Sequence, residues 1–242
     1  MKYIIEDNKI AFDTCYELNQ YTQEHKLNIP VEVNDVKQLI AASLLIRIHN
    51  GFQSVVILSQ SGLETEAKII SRTILESLFV LRAISIDDEN VDLFIKTDKA
   101  KREKWIKNMI KHKETVYLDL KSSINEQEYQ DLKEEIKQEG IKDVDVHEWA
   151  EKADLKVYYA YGYKVLNSEV HTDIRTLQKY LEIENDEIIG LDCLPRTMDI
   201  RRTLFTACSV MIIALDSIFT IFSIEKSEEL NRFNEEVILF RE

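Results

Sequence analysis

Apolar residues recur at helical spacing along almost the whole chain. The run VNDVKQLIAASLLIRIHNGFQSVVILSQSG (33–62) predicts a long helix with Asn34 as its N-cap and Gly62 at its end. Gly51 interrupts the run and allows a kink or a close helix approach. A second long helix follows directly over 63–85. Its stripe of Leu63, Ala67, Ile70, Ile74, Leu78 and Leu81 faces a core, while Ile69, Leu75, Phe79 and Val80 fill most of the remaining circumference. A helix apolar nearly all round is a central one.

Residues 1–27 predict one or two helices ending before Pro30. After IDDENVD come helices of about 25 and 14 residues, with Ser123 and Glu126 as a capping box for the second and Gly140 at its end. DVHEWAEKADL predicts a short helix, and residues 158–181 a long one with the stripe Tyr159, Tyr163, Leu166, Val170, Ile174, Leu177 and Leu181. Residues 182–199 alone have strand-like or loop character and read as a loop, a hairpin or a lid. A very apolar helix over 202–224 and a polar tail close the chain. Short connections favour antiparallel neighbours. The expected fold is an all-α multi-helix bundle with two long central helices and a loop or hairpin insertion near 182–199. It forms a single helical domain over 1–242, with the C-terminal apolar helix packed on the rest.

The apolar helix is long enough to be weighed as a membrane span. Arg202, Thr206, Ser209, Asp216, Ser217 and Thr220 fall on one of its faces, however, and an Asp inside a span costs about 2.5–3.5 kcal/mol. A core helix with a polar stripe fits better, and no membrane partner is expected. Five Gly and two Pro leave little material for tight turns. Three cysteines, far apart in sequence and without a Cys-x-x-Cys pair, indicate reduced thiols in a cytoplasmic protein. A net charge of −13 excludes a general nucleic-acid coat protein. The basic block 96–113 reads as a solvated helix face around buried Trp105, Ile106, Met109 and Ile110.

Candidate chemistry lies in two places. On the second central helix Arg72 and Glu76 are neighbours four residues apart, opposite the core stripe. They are either a structural ion pair or part of a site. On the Tyr-rich helix, Ser168, His171 and Arg175 form a polar row beside the apolar stripe, where a histidine both titrates and is held in orientation. His25, His49, His112 and His147 have no such companions. No helical zinc spacing, phosphate-binding Gly-rich loop or Gly-x-Ser-x-Gly elbow occurs, so no metal and no cofactor are implied.

GLETEAKIISRTILESLFVLRAI followed by EWAEKADLKVYYAYGYKVLNSEVH resembles a bacterial family known as domain of unknown function five-six-seven-seven, over roughly residues 35–180. The resemblance carries Arg72, Thr73 and Glu76 from an Arg-[Ser/Thr]-x2-Glu motif, and Tyr158, Tyr161, Ser168 and His171 from a Tyr-rich helix with Ser-x2-His. That all-helical pattern is in turn similar to the HEPN superfamily of metal-independent ribonucleases in toxin–antitoxin and antiviral systems. Its Arg-to-His signature at four to six residues is absent here. This analogy implies a homodimeric ribonuclease or toxin-type effector acting on RNA, with an antitoxin or other defence-system protein as partner. His171 would be the general acid or base, with Arg72 or Arg175 on the phosphate. Glu76 would orient the Arg, and Ser168, Tyr158 and Tyr161 would contact substrate. The other reading is a non-catalytic helical module binding a protein or small ligand, with Arg72, Glu76, Ser168 and His171 as a structural polar network.

Overall fold

A computed structural model describes residues 2–111, 122–170 and 174–240. Among these, eleven α-helices account for most of the chain, so the all-α expectation holds. Three of them make the centre: α3 (Val36–Gln60), α4 (Glu64–Ile86) and α10 (Ile200–Ile221). Two central helices were expected, and α10 is a full third. Around them pack α1 (Lys2–Asp7), α2 (Lys9–Leu27), α7 (Val146–Lys152), α8 (Lys164–Val170) and α11 (Glu228–Ile238), while α5 (Glu89–Lys111) and α6 (Glu126–Glu139) pair with each other. The short α9 (Ile174–Gln178) precedes the two-stranded sheet.

The close approach of α3 and α4 depends on Gly51. A Cβ there would run into Ile74 Cγ2, so only glycine lets the two backbones meet at this level. Between the same helices Gly62 adopts φ +70°, and its carbonyl accepts from Arg196 N at 3.0 Å. The N-cap of α3 is Asp35, whose side chain accepts from Gln38 N, rather than Asn34. Likewise Asn125 caps α6 by accepting from Gln127 N and Glu128 N, in place of the expected Ser123 box. In both, the residue beside the first helical turn outcompetes an equally suitable neighbour.

Helix α10 and helix α3 are each long and apolar enough to cross a membrane. Two thirds of the apolar window of α10 (67%) is buried inside the protein, the environment of a core helix, against 39% for α3. The polar stripe of α10 has partners: Asp216 pairs with Arg82 of α4 at 2.9 Å and with Lys226. Cys15 and Cys208, distant in sequence, meet in the core with sulfurs 3.3 Å apart as free thiols. Burial pushes the Cys15 thiol up well above its ordinary value.

The basic block differs from expectation. Lys96 and Lys99 of α5 pair with Glu139 and Glu135 of α6, and of Trp105, Ile106, Met109 and Ile110 only Met109 is buried, outside the main core. Trp105 is 58% exposed and Ile110 is exposed as well, because α5 has left the bundle here and α6 covers one side only. Residues 182–199 begin as a hairpin: β1 (Leu181–Glu184) pairs antiparallel with β2 (Glu187–Leu191), with a bulge at Glu182/Ile183. Asn185 and Asp186 at its tip both have positive φ, the conformation that a two-residue hairpin turn demands.

Candidate functional site

Four residues spaced by one turn, Glu64, Lys68, Arg72 and Glu76, run as a charged row along α4. They face the segment that carries α8 and the start of α10. Arg72 Nη2 lies 3.0 Å from Glu76 Oε1, and Arg72 Nε donates to Asn167 Oδ1 at 3.1 Å. Arg72 Nη2 also donates to the Tyr163 hydroxyl, which in turn donates to Glu76 Oε1 at 2.8 Å. The guanidinium carbon sits 4.7 Å from the Tyr163 ring centroid. Arg72, Tyr163 and Glu76 therefore close a ring of hydrogen bonds between α4 and the helix packed on it, and Asn167 is tied to that ring through Arg72 Nε.

Tyr163 is buried, and burial followed by the adjacent Glu76 carboxylate pushes its hydroxyl up to about 12. It remains a neutral donor at any physiological pH. An aromatic column extends from it: Tyr159 stacks on Tyr163 at 5.4 Å, and His147 meets Tyr159 edge-on at 4.9 Å. One turn back, Lys68 Nζ donates to Glu64 Oε1 at 2.6 Å and to Asp199 Oδ2 at 2.7 Å, while Asp199 N donates to Glu64 Oε2. Burial opposes the Lys68 charge, but its bonds to Asp199 and Glu64 raise it above the ordinary lysine value. The same Lys68 bond holds Asp199 below the usual carboxylate range.

The helix that brings Tyr163 and Asn167 here is not continuous. Residues Tyr158–Tyr163 form a π-helical turn, closed by Lys164 N donating to Tyr159 O. Such a turn adds a residue, which rotates everything after it relative to a regular helix. Tyr161 consequently points outward, 75% exposed, while Tyr158 is half-buried against Ser209. The expected stripe fails from the last residue of α8 onward: Val170, Ile174 and Leu177 are all exposed.

Of the sequence-derived candidates, Arg72 and Glu76 are joined directly. Ser168 is exposed and its hydroxyl donates to Val165 O at 2.8 Å, within its own helix, so the place it was expected to take in the network belongs to Asn167. His171 lies outside the described residues, and so does the side chain of Arg175 in α9. Tyr158 and Tyr161 line a cleft next to the network. Sequence reasoning missed Tyr163, which it placed on the apolar stripe, and Asn167. The signal was present: a buried tyrosine must place its hydroxyl, and Asn167 follows it by four residues.

His49, set aside in the sequence, is fully buried between two polar partners. Its Nδ1 lies 3.1 Å from Lys26 Nζ and its Nε2 lies 2.9 Å from Asn19 Oδ1. An ammonium only donates, so Nδ1 accepts and Nε2–H donates. Burial, then the Lys26 charge, lowers His49 to about 4. Among the described residues no group of three His, Cys, Asp or Glu side chains is placed to hold a metal ion.

A model for a family of unknown function (DUF5677) matches residues 38–188. No curated protein and no solved structure matches the chain. The matched segment holds Arg72 and Glu76 on one side of the hydrogen-bonded network and Tyr163 and Asn167 on the other. It covers more than half of the 242 residues, and the chain belongs to the DUF5677 family.

Proposed function

We propose that the protein is a cytoplasmic, non-catalytic helical module that binds a ligand beside the α4–α8 interface, with Arg72, Glu76, Tyr163 and Asn167 as the polar network that fixes that interface. One observation carries this reading. The Arg72 Nε and Nη2 groups are engaged by Asn167, Tyr163 and Glu76, and an aromatic ring covers the guanidinium. An arginine meant for a phosphate would have to break these bonds first. A partly buried charge that loses its partners is strongly destabilising, which suits a packing role.

A second reading, the metal-independent ribonuclease or toxin-type effector, is favoured by a different observation. Arg72 bonds to Asn167, and His171 follows Asn167 in sequence by four residues. In that reading RNA is the substrate, a second copy of the chain completes a homodimer, and an antitoxin or other defence-system protein restrains it.

Induced expression of wild type beside His171→Ala separates the two, with growth, total RNA on a gel and melting curves recorded for both. The module reading expects unimpaired growth and intact RNA for both chains. Growth arrest with RNA fragmentation, lost in a His171→Ala chain that melts as the wild type does, would establish the effector instead.

A further inference from the structure

The cleft beside the network has two adjoining chambers between the π-helical turn with α8 and the first turns of α10. They share Tyr161, Gly162, Arg202 and Thr206. The outer chamber, about 510 Å³, is walled by Val157, Tyr158 and Phe205 as well, an aromatic and apolar surface. The inner one, about 100 Å³, is reached by Lys68, Glu169, Asp199 and Thr203.

Two polar atoms of the inner chamber are unexplained by the fold. The Glu169 side chain is only 9% exposed; its Oε1 pairs with Lys179, but among the described residues its Oε2 has no partner. Thr203 Oγ1 is buried and equally without one. Buried acceptors are normally satisfied, and two orphans in one chamber ask for a donor from outside the chain. Lys68 does not supply it, because Glu64 and Asp199 hold it. At the junction of the chambers the exposed Arg202 provides a cation. The charged residues lining the inner chamber, Lys68 and Arg202 against Glu169 and Asp199, balance to zero. An anion alone would leave Glu169 Oε2 orphaned, and a cation alone would make no use of the exposed Arg202 guanidinium, whose nearby carboxylate, Asp199, is already shared with Lys68. A ligand of zero net charge that carries both signs satisfies each.

We propose that this cleft binds a free zwitterionic α-amino acid with an apolar or aromatic side chain. Its ammonium donates to Glu169 Oε2 and the Thr203 hydroxyl, and its carboxylate meets Arg202. The side chain fills the outer chamber against Tyr158, Tyr161 and Phe205. The outer volume accommodates a ring, and flat aromatic walls favour one. This inference rests on the binding-module reading and names its ligand class.

Calorimetric titration of the full chain with L-phenylalanine, L-tyrosine, L-leucine and L-methionine at up to millimolar concentration tests it. Phenethylamine, which lacks the carboxylate, and 3-phenylpropionate, which lacks the ammonium, are the controls. Expected is saturable one-to-one binding of at least one amino acid, weakened about tenfold or more by removing either charge from the ligand. Glu169→Gln and Thr203→Val should each weaken it in chains whose unliganded melting curves match the wild type, and Arg202→Gln should weaken phenylalanine but not phenethylamine. No binding of any of the four amino acids overturns the proposal, as does phenethylamine or 3-phenylpropionate binding as tightly as phenylalanine. Those failures leave the network and the expectation of intact RNA untouched, whereas RNA cleavage would overturn the module reading whatever the titration showed.

Discussion

The α3–α4–α10 centre and the segment from Tyr158 to Met198 obey different rules. In the centre, α4 and α10 are covered nearly all round and α3 on its inner side: Leu45, Phe52, Leu75, Phe79, Ala207 and Leu215 have no exposure at all. In the Tyr158–Met198 segment, apolar side chains stay in solvent. Ile183, Ile188, Ile189 and Leu191 of the hairpin are exposed, as are Ile174 and Leu194, and Met198 is 95% exposed. The helix of that segment also changes type, from π to α. Burial alone accounts for the centre. The second region spends apolar surface, a rare backbone and the orphan Glu169 Oε2 without a matching gain in packing, and it meets the centre at a second orphan, Thr203 Oγ1, beside the cleft proposed to bind a ligand.

The contrast is most easily broken at Gly51. Gly51→Ala drives a methyl into Ile74 where α3 and α4 touch, and should cost about 1–3 kcal/mol in denaturant unfolding. If the protein tolerates it without loss, the centre is less tightly packed than described.

Acid should weaken the same centre through His49. Folding holds its pKa near 4 against an ordinary 6.5, so the unfolded chain binds the extra proton between those values. Stability from this group is complete above pH 6.5 and is lost as the pH falls towards 4. Melting temperature followed over that range, beside His49→Gln, reads it: the variant should show a flatter acid limb.

Tyr163 gives the opposite sign at the other end of the scale. Its folded value near 12 lies above the ordinary 10, so its contribution is complete below pH 10 and fades as pH rises through 12. Burial also raises Tyr21, Tyr129 and Tyr158, so absorbance of tyrosinate should show several late-titrating residues, and Tyr163→Phe should remove the latest.

The smallest effect belongs to the hairpin. Ile188→Ser sits on exposed surface opposite Ile183 of the partner strand, and should change stability by less than about 0.5 kcal/mol. A large loss would mean that the hairpin is part of the core.

The sequence carried the centre because its message there is periodic. On 63–85 the stripe from Ala67 to Leu81 is buried or half-buried, with Leu63 alone exposed, the very apolar 202–224 is a core helix, and an isolated Gly51 amid apolar residues signalled close contact. The second region resisted for physical reasons. The π turn changes the angular positions within and after it as far as Val170, so Tyr163 serves a hydrogen-bonded ring as well as the apolar stripe, and Val170 is exposed. Exposed Trp105 misled similarly, since periodicity announces an apolar face without saying whether a neighbour covers it. Arg72 and Glu76 were legible as a pair because both sit on one regular helix, whereas Asn167 showed only as a neighbour of Tyr163 four residues on, and its partner Arg72 lies 95 residues away. The hairpin tip at Asn185–Asp186 had its turn chemistry in plain view, but the flanking strands are too short for alternation to show.

The central claim, that Arg72 and Tyr163 act together to hold α4 against α8, is tested most directly by a double-mutant cycle. Urea unfolding of wild type, Arg72→Gln, Tyr163→Phe and the double variant gives their coupling. The network predicts that each single change destabilises and that the double loses less than the sum, with a coupling of about 0.5–3 kcal/mol. Single variants as stable as the wild type, with no coupling, would contradict it and return Arg72 to the reacting groups.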